Sequence, residues 1–289
     1  MAAQIDPGLR DCYESCRRLH RRRDPTYYWA TRRLPREVRP AVHALYALVR
    51  EVDDVVDAPG RASAASRKRA VKEWEEQLRG ARAGRPGGHP AVAALVDAGR
   101  LHDLPLDELD LYFESMRLDC APVRLQTWAE LERYMRGSAG SVGHILGSLL
   151  SGPQSAREPF ERLALGFQLT NFVRDVREDW ELDRVYMPAE DLERFGVSLA
   201  EIADRVPSPG FRRVLALQVE RARALFREGE AAAELVSPGV RRGMWMARSV
   251  YEGMLDRTER LGFDVLRHRA ALSPWELVGA VASGLRAGA

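Results

Sequence analysis

Apolar side chains recur along the chain at intervals of three and four residues, the spacing that lines one face of an α-helix. Between Arg36 and Val56 the positions Val42, Leu45, Tyr46, Val49 and Val52 keep it, and Leu9, Cys12, Cys16 and Leu19 keep it within an otherwise charged stretch. The pattern predicts helices over 8–22, 26–33, 36–56, 61–79, 90–99, 106–120, 127–151 and 158–181. Beyond Pro188 it predicts further helices over 189–194, 198–204, 208–236, 238–261 and 273–286. Breaks fall at Asp24-Pro25, at Pro59-Gly60 and over 80–90, where GARAGRPGGHP reads as a loop. No segment alternates apolar and polar residues with β-branched enrichment, so no strand is predicted. No repeat of about 20–50 residues is visible either. The expected fold class is all-α: one domain over 1–289, a helical bundle around a central cavity.

Composition narrows the choice of partners. The net charge of +2 arises from 44 basic and 42 acidic residues. A balance so near zero gives no bulk attraction for nucleic acid or an anionic membrane, so any anion has to be held locally. Cys12, Cys16 and Cys120 are an odd set without a CxxC, which suggests small core residues in a reducing setting and neither a disulfide framework nor a zinc site. The first thirty residues are polar and arginine-rich. They resemble no signal peptide, and no apolar run approaches the length of about eighteen residues that a membrane span needs. A cytoplasmic protein, monomer or homodimer, is expected, with lipid-like substrates reached from solution or by loose contact at a membrane surface.

Candidate chemistry centres on the stretch from Gln168 to Pro188, QLTNFVRDVREDWELDRVYMP. On a helix, Gln168, Asn171, Asp175 and, a turn on, Glu178 and Asp179 share one stripe amid Phe167, Leu169, Phe172 and Val173. Asp53 and Asp57 in REVDDVVD repeat the four-residue acidic spacing, with Arg50 one turn before Asp53 and Tyr46 one turn earlier still. Carboxylates that face a shared space raise one another's pKa unless cations neutralise them. Magnesium suits such a space, because it takes a few carboxylate oxygens and completes its shell with water and phosphate oxygens. Two acidic pairs are therefore a device for gripping a diphosphate, with Arg174, Arg184 and Tyr186 as donors for the oxygens the metal leaves free. A single DxxxD also occurs on solvated helix faces, and the small-residue block Gly137, Ser138, Ala139, Gly140, Ser141, Val142 and Gly143 fits close helix packing as well as room for a substrate chain.

These blocks resemble the squalene and phytoene synthases. TYYWATRRLP, HALYALVREVDDVVD, ERYMRGSAGSVG, FQLTNFVRDVREDWELDRVYMP and SVYEGMLDRTERLGFDVL follow that family's order, and the likeness covers roughly residues 20 to 270. The resemblance implies an isoprenoid synthase fold and two aspartate-rich motifs, Asp53 with Asp57 and Asp175 with Asp179, that bind Mg²⁺ together with Asn171. Roughly two or three ions are implied, with Mn²⁺ as a substitute. It further implies that Arg50 and Arg184 hold the diphosphate of an allylic prenyl substrate, that Gln168 and Asn171 complete the second site and touch the substrate, and that Tyr134, Tyr186 and Tyr251 line the reaction centre; by position, Arg174 is a further candidate for binding diphosphate and Tyr46 for the reaction centre. The implied reaction ionises one allylic diphosphate, joins it to a second through a cyclopropylcarbinyl diphosphate, and ends in a hydrocarbon such as phytoene.

Four positions depart from the family pattern. Asp24-Pro25 stands where a small polar and basic dipeptide is usual, and Leu125 where an aromatic residue is frequent. His268 occupies the place of an arginine, and His144 follows SVG where tunnel-lining apolar residues are expected. A histidine facing the cavity suits a polar acceptor better than a hydrocarbon. A second reading follows, in which the allylic group, dimethylallyl for example, passes to an aromatic small molecule in a specialised pathway and His144 helps to bind that acceptor. A third, a non-catalytic helical partner protein, gives no reason for the acidic and basic residues to occur together.

Overall fold

Helices form where the apolar spacing places them, and the burial of their stripes sets the architecture. A computed structural model describes residues 7–57, 63–85, 88–152 and 157–288. The first half carries α1 (Arg10–Arg23), α2 (Pro25–Thr31), α3 (Arg39–Val56), α4 (Ala64–Arg82), α5 (Pro90–His102) and α6 (Leu109–Asp119). The middle carries α7 (Trp128–Met135), α8 (Ser141–Ser151), α9 (Glu158–Arg174) and α10 (Val176–Glu181). After these come α11 (Ala189–Arg194), α12 (Leu199–Ala203), α13 (Pro209–Glu228), α14 (Pro238–Arg260) and α15 (Pro274–Ala287). The ends of many helices follow local chemistry. Asp24, Ser63, Thr127, Ser208 and Ser273 each accept from a backbone N–H of the first turn, and proline opens α2, α13 and α15. Asp24-Pro25 is thus a helix start.

Three apolar clusters fill the interior. Leu45, Leu48 and Val52 of α3 meet Leu95 of α5 and Leu109 and Phe113 of α6 in the first. Leu165 and Leu169 of α9 meet Val219 and Phe226 of α13 in the second, and Phe211, Val214 and Leu266 anchor the third around α10 to α13. Helix α9 is buried on several sides, with Phe160, Leu163, Leu165, Leu169, Phe172 and Val173 all inside, as expected of a helix at the centre of a bundle. Cys16 and Cys120 are buried and unpaired, as small core residues.

Three local features differ from the expected all-helical reading. The helix expected over 127–151 is interrupted by a π turn over Arg136–Gly140, where the Ser141 N–H donates to the Arg136 carbonyl. The helix expected over 158–181 bends at Asp175 (φ −103°, ψ 19°), while the bonds Asp175 N–H to Asn171 O and Asp179 N–H to Asp175 O, both 2.8 Å, continue the ladder. Two short strands, β1 (Val123–Arg124) and β2 (Arg184–Val185), pair in parallel, Val123 with Arg184 and Arg124 with Val185. Two residues are too few to show a strand period. The expected loop over 80–90 is helical to Arg82, and its residues 86–87 lie outside the described residues, as does Pro59-Gly60. Among the described residues, no helix is long and apolar enough to cross a membrane.

Candidate active site

A cavity of about 720 Å³ opens between the helices, and α3, α6, α8, α9 and α14 supply most of its wall. Its lining is of two kinds. Carboxylates come from Asp53 in α3, Asp57 just past its end, Asp119 in α6, and Asp175 and Asp179 at and after the bend between α9 and α10. Apolar side chains come from Val142, Leu146, Phe160, Leu163, Val240 and Met244. The spacing of each acidic pair puts both carboxylates on one helix face, and the packing of α3 and α9 into separate clusters sets the two faces across a shared space.

The basic residues sit among the carboxylates. Arg184 is nearly buried and reaches across from β2: its Nη1 donates to Asp57 Oδ1 at 2.8 Å and its Nη2 to the Asp119 carbonyl at 3.0 Å. The short strand pair holds it there, helped by Asp183, whose φ of 60° turns the chain and whose carbonyl accepts from Arg124 Nη1 at 2.7 Å. Arg50 donates to Asp54 at 2.7 Å, and Arg174 makes a two-point contact with Asp175, its Nε lying 2.7 Å from Oδ1. Gln168 and Asn171 also line the cavity.

Burial leaves negative charge poorly solvated here. It pushes Asp53 up to about 7, with the Asp57 charge adding to the effect, and Asp179 up to about 8, with Asp175 adding. Asp119 is pushed up to about 6 by burial even though Arg184 and two phenols favour its charged form. Burial opposes the charge of Arg184, yet Tyr186 and the carboxylates of Asp119 and Asp57 raise its pKa. An all-oxygen donor set of four carboxylates and an amide suits a hard divalent cation. Among the described residues no three His, Cys, Asp or Glu side chains lie close enough to share one ion. Facing pairs of this kind fit ions whose shells are completed by oxygens of a ligand between them.

Tyr134 and Tyr186 stand beside Asp119 in the cavity wall. The Tyr134 hydroxyl donates to Asp119 Oδ2 at 2.5 Å, the Tyr186 hydroxyl donates to Asp119 Oδ1 at 2.8 Å, and Phe172 stacks on Tyr186 with ring centres 3.9 Å apart. Burial first, and then Asp119, hold both phenols well above the usual range, so they stay protonated. Asp119, Tyr112 and Tyr27 are cavity residues that the sequence reading passed over. A signal was present: Tyr112, Met116 and Asp119 fall at i, i+4 and i+7, which places an aspartate on the apolar stripe of α6.

Three expected site residues do not line the cavity, and their placement corrects the reading. Tyr46 packs behind it, stacked on His20 at 3.9 Å; His20 Nδ1 in turn lies 2.9 Å from His43 Nδ1, and burial lowers His20 to about 3 and His43 to about 4. Tyr251 packs edge-on against Phe167, a cavity residue, with 4.6 Å between ring centres. His144 is the clearest departure. Its Nε2 lies 2.8 Å from Glu161 and its Nδ1 3.0 Å from Glu108, and bonding to Glu161 raises its pKa despite burial. A carboxylate partner compensates a buried imidazole more fully than a hydrocarbon wall does, so the ring turns to Glu161 through Nε2, while Nδ1 lies near Glu108 without a hydrogen bond. Of the other departures, His268 is exposed and Leu125 packs against the second cluster. The small-residue block divides: Ser138, Ala139, Val142 and Gly143 border the cavity, while a Cβ at Gly137 would stand 2.6 Å from the Leu111 carbonyl oxygen of α6.

Residues 20–276 match the family described as squalene/phytoene synthase. The 15-cis-phytoene synthase of Synechocystis is 32% identical over 294 residues, which cover 97% of this chain and 86% of that protein. The phytoene synthase of Thermus thermophilus is 33% identical over 276 residues, covering 96% and 92%. Among solved structures, the squalene synthase HpnC of Alicyclobacillus acidocaldarius superposes with a TM-score of 0.81 at 32% identity, over 90% of this chain and 97% of that one. A dehydrosqualene synthase superposes with a TM-score of 0.87 at 23% identity, over 97% of each chain, a likeness of fold.

Proposed function

Because the chain belongs to the squalene/phytoene synthase family, whose members are prenyltransferases, we propose that its one domain binds allylic prenyl diphosphates with Mg²⁺ and joins two of them head-to-head, releasing both diphosphates and a proton to leave a hydrocarbon of the phytoene type; a squalene-type product would need a nicotinamide reductant as well. The observation that carries the reading is the make-up of one cavity: carboxylate pairs and arginines that interact with one another share its wall with apolar side chains. Asp53, Asp57, Asn171, Asp175 and Asp179 would hold the metal. Magnesium, when bound, supplies the charge that stabilises diphosphate as the allylic C–O bond breaks. Arg50, Arg174 and Arg184 donate to the remaining phosphate oxygens and orient the diphosphate, and Gln168 supports it through its amide. Val142, Leu146, Phe160 and Met244 enclose the prenyl tails and exclude water from the cation. Tyr134 and Tyr186, held protonated beside Asp119, present ring faces and fixed dipoles to developing positive charge.

Transfer to an aromatic acceptor is not favoured. Its main residue, His144, is turned to Glu108 and Glu161, and the relatives are phytoene synthases. The test is to supply dimethylallyl, geranyl, farnesyl and geranylgeranyl diphosphate separately with Mg²⁺ and to weigh the products. A hydrocarbon of twice the substrate's carbon count is expected from one of them alone. Asp53→Asn and Asp175→Asn should each lower diphosphate release by at least about a thousandfold, a barrier increase of about 4 kcal/mol, with unchanged helical circular dichroism. Release at the normal rate in both variants would overturn the assignment.

A further inference from the structure

Tyr112 stands on α6 with 1% of its surface exposed, its ring packed edge-on against Phe113 at 5.6 Å between centres. Its hydroxyl lies 2.9 Å from Asp53 Oδ1 and 3.1 Å from the Val49 carbonyl. A phenol has one proton to give. Val49 is four residues before Asp53 on α3, so its carbonyl is the helical acceptor for the Asp53 N–H. The carboxylate is the nearer and, when ionised, the stronger acceptor.

We propose that Tyr112 is a positioning residue: its hydroxyl fixes the Asp53 carboxylate through Oδ1, so that Oδ2 would be the oxygen offered to a divalent cation held with the substrate diphosphate. The inference rests on the diphosphate reading above. An aspartate side chain turns readily about its terminal bond, and a ligand free to turn gives up that conformational freedom each time a metal binds. The neighbouring carboxylate of the same pair has its own support, since Asp57 Oδ1 accepts from Arg184. Each member of the first pair is therefore aimed by a donor from a different part of the chain, Tyr112 from α6 and Arg184 from β2. Donors of this kind behind metal-binding carboxylates typically change metal affinity by about 10–100-fold when removed.

The test uses Tyr112→Phe, which deletes one oxygen and keeps the ring, and Tyr112→Met, which keeps an apolar side chain in the same space should the first fold poorly. Mn²⁺ binding is titrated by electron paramagnetic resonance in the presence of a non-ionising allylic thiolodiphosphate, and the metal dependence of diphosphate release is followed in parallel. The Mn²⁺ dissociation constant should rise about tenfold in both variants, and diphosphate release should recover toward the wild-type rate at saturating Mg²⁺. Phe113→Leu, which disturbs the same packing and leaves the hydrogen bond, should lower the melting midpoint and leave the metal dependence unchanged. Equal Mn²⁺ binding by wild type and both Tyr112 variants would overturn the inference alone. A wild-type protein that binds no Mn²⁺ with the thiolodiphosphate would overturn the diphosphate reading and this inference with it.

Discussion

Asp119 shows what a single side chain costs and secures. Its carboxylate is buried and accepts from both Tyr134 and Tyr186, while its own carbonyl accepts from Arg184. Asp119→Ala would leave two buried phenols to share one 3.4 Å contact with each other. The expected loss is about 3 kcal/mol of unfolding free energy. Asp119→Asn keeps an acceptor in place and should lose no more than about half of that, so denaturant midpoints of the two variants separate hydrogen bonding from packing. Equal loss in both would mean that the acceptor is not what stabilises the site. The paired aspartates are legible in the sequence because each pair lies within one helical turn. Asp119 is harder to read, since its partners are 15 and 67 residues away.

At the scale of elements, the glycines around the π turn matter more for what they approach than for their flexibility. A Cβ at Gly137 would lie 2.1 Å from Ser115 Oγ and 2.6 Å from the Leu111 carbonyl oxygen. The serine can rotate, but the carbonyl belongs to the α6 ladder. Gly137→Ala should therefore lower stability by about 1–3 kcal/mol, read as a fall in melting midpoint. Gly279, exposed on α15 with nothing within 4 Å of where a Cβ would stand, provides the contrast. Gly279→Ala should gain about 0.5–1 kcal/mol from helix propensity. An unchanged midpoint for Gly137→Ala would show that α6 yields to the added methyl. The helical periods of α7 and α8 were legible; the π turn between them was not, because glycine and serine carry no periodic signal and the turn is defined by what it packs against.

For the molecule as a whole, the site is a junction between separately packed parts, with Asp53 on the α3 side and Asp175 on the α9 side. A ligand that bridges them should tie those parts together. Mg²⁺ with a non-ionising allylic thiolodiphosphate, at about 100 times its dissociation constant, should add about 2.7 kcal/mol of stability. That corresponds to a rise in melting midpoint of several degrees, on the order of 5 °C. EDTA should reverse the rise, and Asp175→Asn should remove most of it. The same rise with thiolodiphosphate in EDTA would show that the arginines alone provide the grip.

The sequence by itself determined the helices, the two acidic pairs and the family likeness, because all three are carried by short spacings or by blocks read in order. Tertiary structure alone decided which of the candidates meet. Arg184 reaches Asp57 across 127 residues, Tyr112 reaches Asp53 across 59, and His144 is drawn to Glu108 and Glu161 instead of the cavity. Helical periodicity fixes the face of a helix on which a side chain lies, whereas what that face meets depends on how α3, α6, α8 and α9 pack. Burial completes the difference: an aspartate acquires a raised pKa when the folded chain takes water away from it and sets a like charge beside it, as at Asp53 and Asp179.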